Sequence, residues 1–342
     1  MQALVVHGHE VRYESAPDPI ILDRRDVIVT MKGASICGSD LHLLDPSWDA
    51  PREVYGIGHE AVGEIVEVGK DVRTLKVGDE IMLSGIVACG LCRSCLAGEL
   101  KRCENKATDV YGLGQSLEGC QAEAIRVPAA DFNAQVVPEG VSREQAVLLT
   151  DGLITAFGAC VGAEIRPGNS VAVIGLGPIG LMATELAVAM GASIVYAVDP
   201  IAERRAWATD LGAVALPPDD LPAVISEKTS GRMIDSVVEA VGSPKTIDLA
   251  MQIVGVGRTV DVLGAGQFDM TIPFNAAVNG VTVRANMLTE IPAYWPEVIP
   301  LLQSGRIHPE RVFTHTFSLP EGEEAYRQAI ARENGLLKIL LN

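Results

Sequence analysis

At 342 residues, the chain is long enough for about two domains on the usual size relation. Its net charge of −17 at pH 7 argues against nucleic acid or an anionic membrane surface as a partner. A content of 48% hydrophobic residues is that of an ordinary globular protein and argues against a disordered one. The first residues, Met1 to His7, lack a basic stretch followed by a long apolar core, so no signal peptide is expected. The longest apolar runs carry Glu185 or Asp151 and are punctuated by glycine, so none reads as a membrane span. Seven cysteines is an odd number, and four of them cluster. That pattern fits metal binding in a reducing compartment better than a disulfide framework, and a cytoplasmic protein is expected.

Residues 1 to about 35 read as short strands and turns, with Ala3–Val6 and Asp26–Met31 the clearest strands. Cys37, Ser39, Asp40 and His42 then fall within six residues, too dense in polar chemistry for a core strand. Gly58-His59-Glu60 precedes a strand-like segment, Ala61 to Val68, and Val77 to Met82 contains a turn and a further strand. Closely spaced short strands with glycine turns predict a compact, barrel-like β unit.

Cys89, Cys92, Cys95 and Cys103 follow with the spacing C-x2-C-x2-C-x7-C. Four thiolates so close together can close a tetrahedron around zinc and leave no open position, which makes such a site structural. Disulfides and an iron–sulfur cluster are the rival readings, but no downstream proline or paired cluster motif favours the latter. Cys120 and Cys160 read as small core residues. Ser142 to Gly162 reads as one helical stretch in which Asp151 is the lone acid of an apolar run. Such an acid is either a helix-end residue facing solvent or a buried carboxylate with a cation.

Val171–Ile174 has the length and β-branched content of a buried strand. Gly175-Leu176-Gly177-Pro178-Ile179-Gly180 follows, then a helical segment to Met190 and a second apolar run ending in Asp199. Strand, G-x-G-x-x-G turn, helix, strand and terminal acid make a dinucleotide-binding βαβ unit. Gly175 permits the turn, Gly177 lets the backbone approach a pyrophosphate, and Gly180 allows close helix–strand packing. The N–H groups at the helix start, around Pro178 and Ile179, face the phosphates. Asp199 lies 19 residues beyond Gly180, where a carboxylate accepts from ribose hydroxyls and repels a 2′-phosphate. NAD is therefore expected over NADP, with Arg204 and Arg205 just beyond as the features that temper the preference. Helices at Ala202–Leu211, Leu221–Thr229 and Ser243–Val254 alternate with strands at Ser236–Ala240, Arg258–Leu263 and Val281–Asn286, which predicts a parallel sheet covered on both faces.

Taken in order, Cys37-x-Ser39-Asp40-x-His42, Gly58-His59-Glu60, the four-cysteine lobe and Gly175-x-Gly177-x-x-Gly180 resemble the zinc-dependent alcohol dehydrogenases of the medium-chain dehydrogenase/reductase superfamily. The resemblance covers essentially the whole chain. It implies an α/β protein with a GroES-like, β-rich catalytic domain (1–152 and 289–342) and an inserted Rossmann domain with a doubly wound parallel sheet (153–288). It also implies two zinc ions per chain: a catalytic one held by Cys37, His59 and Asp151, where some members carry Cys or Glu in place of the Asp, and a structural one in the cysteine lobe. Glu60 would lie behind the catalytic metal, Asp40 would orient His59, and Ser39 and His42 would form a proton relay through the cofactor ribose. Some members carry Arg after the zinc cysteine to contact the pyrophosphate; Gly38 stands there, leaving that task mainly to the Gly177–Gly180 turn.

The implied pocket wall is Trp48, Gly85, Ile86, Tyr111 and Met287, where Gly85 replaces bulky aromatics that narrow the cleft for primary alcohols. A secondary alcohol and its ketone are thus the expected substrate pair. Polyol, butanediol or threonine dehydrogenase are the nearest alternatives, and a non-catalytic nucleotide-binding protein or a zinc-free reductase is the remote one. Relatives of this length imply a homo-oligomer, with a tetramer favoured over a dimer.

Overall fold

The run Val27–Ile36, apolar at nearly every second position, forms the central strand of a seven-stranded sheet. It pairs antiparallel with Glu60–Val68 along nearly its whole length, with Ala124–Val127 over its first four residues, and with Lys338–Leu341 near its end. Outward from Glu60–Val68 the order continues through Glu80–Leu83 to Ala134–Val136, and outward from Lys338–Leu341 to Phe313–Phe317. A smaller sheet of Glu10–Ser15, Gln2–His7 and Val54–Gly56 lies in the same part of the chain. Leu4, Val29, Ile57, Ile65 and Ile81 share one buried apolar cluster with Tyr111 and Tyr326. The computed structural model describes residues 1–47, 54–105, 108–113, 116–266, 271–286, 288–332 and 335–342.

The chain divides into two units, Met1–Ile154 with Glu290–Asn342, and Thr155–Thr289. In the second, six parallel strands run in the order Val214–Leu216, Ile194–Val198, Ser170–Ile174, Ile234–Glu239, Val254–Val262, Thr282–Ala285. The first glycine-turn strand, Ser170–Ile174, is central, buried and flanked on both sides, as a near-continuous apolar run requires. The helix Pro178–Ala189 starts with Gly177 as its cap and Pro178 in its first turn, where a missing N–H costs nothing.

The expected single helix from Ser142 to Gly162 is corrected. Two helices, Arg143–Leu149 and Gly152–Gly162, bend by 49° at a break on Thr150 and Asp151. The carbonyls freed by the break are taken up: Trp295 Nε1 donates to Leu149 O at 2.8 Å and Gly85 N donates to Thr150 O at 2.9 Å. The Thr150 hydroxyl bonds back to Val147 O at 2.5 Å, competing with continuation of the helix. Neither half is long enough alone, and no single helix among the described residues is long and apolar enough to cross a membrane. Strands Glu10–Ser15, Val214–Leu216 and Phe313–Phe317 and the helix Phe274–Val278 lie outside the elements expected from sequence. The strands are short or polar and are defined by pairing with a neighbour rather than by their own pattern, and the helix is only five residues long.

Close approach fixes one turn glycine. A Cβ on Gly180 would lie 1.8 Å from Gly175 O, with backbone on the other side of the contact. We expect Gly180→Ala to lower stability by about 1–3 kcal/mol, as overpacking of a buried contact does. Urea denaturation followed by fluorescence checks this; an unchanged midpoint would show that the turn can relax.

Candidate metal centre and cofactor turn

Cys37 caps the short helix Gly38–His42, and its backbone N–H donates to Asp40 Oδ2 at 2.9 Å. His59 sits just before the strand Glu60–Val68, and Asp151 occupies the helix break. These three come from distant parts of the first unit, yet one donor atom of each lies within 4.8 Å of the others. Cys37 Sγ is 3.8 Å and His59 Nε2 3.4 Å from Asp151 Oδ2. The other ring nitrogen, Nδ1, faces Asp40 Oδ1 at 3.1 Å, a charge contact without straight hydrogen-bond alignment. Burial pulls the His59 pKa down, but Asp40, Cys37 and Asp151 together hold it well above the ordinary histidine value. Ser39 Oγ is 3.2 Å from His59 Nε2, and the half-buried His42 closes the same short helix.

A thiol, an imidazole and a carboxylate converging on one point fit a zinc ion with its fourth position open to a ligand. The charge environment fits as well. Buried acids need a partner, and Asp40 and Glu60 are fully buried beside the trio. Glu60 pairs with Lys338 at 2.6 Å and accepts from Ser35 Oγ. Strand register makes this meeting: Ser35 stands opposite Glu60 on one side and Leu340 on the other. Burial alone would discharge Lys338, yet Glu60, Cys37 and Asp151 hold its pKa above the ordinary lysine value. Lys338 was missed at the level of sequence. A lone basic residue in the apolar run Leu336–Leu341 was the available signal, because a buried ammonium demands a carboxylate.

The second cluster is Cys89, Cys92, Cys95 and Cys103, whose sulfur atoms also lie within 4.8 Å of one another. Backbone N–H groups of Leu91, Cys95 and Glu104 and the Asn105 amide point at Cys89 and Cys92 sulfur at 3.3–3.5 Å. Burial raises the Cys89 pKa, but the Leu91 and Cys92 N–H groups, Cys103 and the Asn105 amide bring it below the ordinary thiol value, whereas burial pushes Cys95 up. All seven cysteines are free. Among the described residues the cluster has Ala88, Leu100 and Phe132 as apolar company, a small core that a bound metal would reinforce.

Of the expected pocket wall, Trp48 and Met287 lie outside the described residues. Ile86 is buried in the strand Ile86–Val87. Tyr111 is buried in the core, and its hydroxyl donates to Arg126 O at 3.0 Å. Gly85 has a different reason for being glycine than pocket width. A Cβ there would lie 2.5 Å from His59 O and 3.1 Å from Thr150 O, so Gly85 clasps the two segments that carry His59 and Asp151.

In the second unit, Gly175 adopts φ +91°, which favours glycine, and the space beside Gly177 is open. Gly177, Pro178 and Ile179 are half-buried at the helix start. Asp199 is buried, with Oδ2 accepting from Leu176 N and Oδ1 from Ile201 N, each at 2.8 Å. A carboxylate has about four acceptor sites, so each oxygen retains capacity for a hydroxyl. Arg204 Nη1 stands 3.8 Å from Asp199 Oδ2, while Arg205 is committed to the carbonyls of Asp199 and Pro200.

Metal analysis of two variants tests the two clusters separately. Asp151→Ala should lose one zinc per chain and keep the cysteine-bound one, and Cys92→Ser should do the reverse. Loss of both metals from Asp151→Ala would contradict independent sites.

Residues 23–138 match the model for the alcohol dehydrogenase GroES-like domain, and residues 178–304 that for the zinc-binding dehydrogenase domain. The chain is 39% identical to a probable zinc-binding alcohol dehydrogenase of Mycobacterium tuberculosis, over 100% of this chain and 88% of that protein. It is 32% identical to the L-threonine 3-dehydrogenase of Bacillus licheniformis, over 95% of this chain and 94% of the relative. The solved alcohol dehydrogenase from Thermus sp. ATN1 is 35% identical and superposes with a TM-score of 0.93, over 100% of this chain and 99% of that one. With both family models matched in chain order, this chain belongs to the zinc-dependent alcohol dehydrogenases of the medium-chain dehydrogenase/reductase superfamily, with a GroES-like domain and a Rossmann domain.

Proposed function

We propose that this member is an NAD-linked dehydrogenase of secondary alcohols that holds two zinc ions, one catalytic and one structural. The observation that carries this reading is the convergence of Cys37, His59 and Asp151 within 4.8 Å in a chain that also has the glycine turn and Asp199. Cys37, His59 and Asp151 would hold the zinc, whose Lewis acidity would make an alcohol hydroxyl acidic near neutral pH. The glycine turn and Asp199 would hold NAD, which would accept the hydride, so that alcohol and NAD would give ketone, NADH and a proton.

The chain's own residues do the rest. Asp40 sets the His59 ring by facing Nδ1, which turns Nε2 toward Cys37 and Asp151. Ser39, beside Nε2, is the first acceptor for the hydroxyl proton, and His42 on the same helix is its exit toward solvent. Lys338 holds Glu60 behind the trio and limits the buried negative charge. The cysteine lobe has no part in the chemistry and keeps its loop folded.

The steric reason for Gly85 removes it as support for a wide pocket, so the case for a secondary alcohol moves to the relatives. Threonine carries its C3 hydroxyl on a secondary carbon, and an L-threonine 3-dehydrogenase is among the chain's relatives. Polyol and butanediol substrates are the alternatives of the same kind. The NAD preference rests on Asp199 and its anchoring by Leu176 and Ile201. Arg204 is the group available to a 2′-phosphate. Free cysteines throughout support a cytoplasmic, reducing location. The strand Thr282–Ala285 is an exposed sheet edge, and Phe274 and Val278 on the helix that precedes it in the chain are both more than two-thirds exposed, which supports assembly into a homo-oligomer; a tetramer is favoured by the resemblance.

Primary alcohols, secondary alcohols, polyols and threonine, each offered with NAD and NADP, test the reading by absorbance of the reduced cofactor. Turnover of secondary alcohols with NAD is expected; no reduced cofactor with any of them would sink the enzyme reading. In Asp199→Asn, kcat/KM for NAD should fall roughly 10- to 100-fold, the worth of hydrogen bonds to a charged acceptor, with a smaller change for NADP. An unchanged cofactor ratio would remove Asp199 from the specificity argument.

A further inference from the structure

One buried polar chain in the first unit has no part in the chemistry above. Gln121 is fully buried and Tyr326, on the helix Gly322–Ala331, nearly so. The Gln121 side chain occupies a slot that exists because position 58 is glycine. A Cβ on Gly58, whose φ is +93°, would lie 2.4 Å from Gln121 Cγ. The amide therefore packs against the residue immediately before His59.

Its orientation follows from its neighbours. Gln121 Nε2 lies 3.1 Å from Ser35 O and 3.4 Å from Asp40 Oδ2, both acceptors, so the NH2 group must point there. Gln121 Oε1 then accepts from the Tyr326 hydroxyl at 2.8 Å. Asp40 Oδ2 thus receives bonds from Gln121 and from the Cys37 N–H, while Oδ1 faces His59. Buried amides and phenols are costly where apolar side chains of the same size would serve, unless their bonds fix a geometry. Here the bonds run from Tyr326 through Gln121 to Asp40, whose carboxylate meets both the Cys37 backbone and the His59 ring.

We propose that Gln121 and Tyr326 are positioning residues for the catalytic metal, holding Asp40 so that the His59 ring and Cys37 keep their places opposite Asp151. This rests on reading Cys37, His59 and Asp151 as a metal site. Neither residue touches the metal or the substrate. The cysteine cluster, which the chain does not reach, is the internal control.

Gln121→Met keeps the volume and removes both polar atoms; Tyr326→Phe removes one hydroxyl and no ring. Zinc release from the full-length protein to a colorimetric chelator is followed in time, with Asp151→Ala and Cys92→Ser identifying the two pools. The zinc of the trio should leave roughly tenfold faster or more in Gln121→Met, the scale of lost support behind a metal ligand, and by a smaller factor in Tyr326→Phe. The cysteine-bound pool should keep its rate. Cobalt(II) placed at the trio should show a shifted visible absorption band in both variants. If Gln121→Met does not fold, Tyr326→Phe carries the same test.

Folded variants with wild-type release and wild-type cobalt band would overturn the proposal, as would equal acceleration of both pools. A wild-type protein holding zinc only in the pool that Cys92→Ser removes would instead overturn the metal-site reading beneath it. The two failures are therefore distinguishable.

Discussion

Buried negative charge is the constraint around which the first unit is built. Asp40 and Glu60 are fully buried, and Cys37 and Asp151 lie beside them, half-buried. A low-dielectric interior tolerates such a group of acids only if cations or donors meet it. His59 and Lys338 supply part of the compensation, and backbone N–H groups supply more. The remaining demand is centred between Sγ, Nε2 and Oδ2, where a divalent cation would satisfy it. On the proposed reading, the same cost of burying acids would favour a bound metal.

Meeting that demand requires residues that are far apart in sequence. The trio spans positions 37 to 151, and Lys338 arrives from near the end of the chain, on a strand that pairs beside Ser35. Strand register brings the Glu60 and Lys338 strands to the two sides of Ser35, and the helix break presents Asp151. Gly85 joins the His59 and Thr150 carbonyl segments by close approach, and Trp295 takes the Leu149 carbonyl at the helix break. The break is what brings Asp151 to its partners. In a continuous helix, the backbone at this position would be closed upon itself.

Much of the architecture was legible in the residues. The strand at Val171, the glycine turn and the acid at 199 form a local unit whose periodicity and turn chemistry are carried by adjacent residues. The cysteine spacing is local too. Asp151 was different, since a single acid in an apolar run admits a solvent-facing and a metal-facing reading until neighbours from elsewhere are known. Lys338, Gln121 and Tyr326 were not singled out because their partners lie up to 302 residues away. Gly85 was legible as a small residue but for another reason. Its limits are set by carbonyls from two other segments.

The sequence by itself determined the kinds of chemistry available: thiolates at metal-binding spacing, a phosphate-binding turn, and an acid placed for a ribose. It did so because each depends on residues within a turn or two of one another. Tertiary structure decided which acids face a cation, where a helix must break, and which polar side chains support Asp40. Those outcomes depend on strand register and on the satisfaction of buried charge, and both are properties of segments that meet only once the chain has folded.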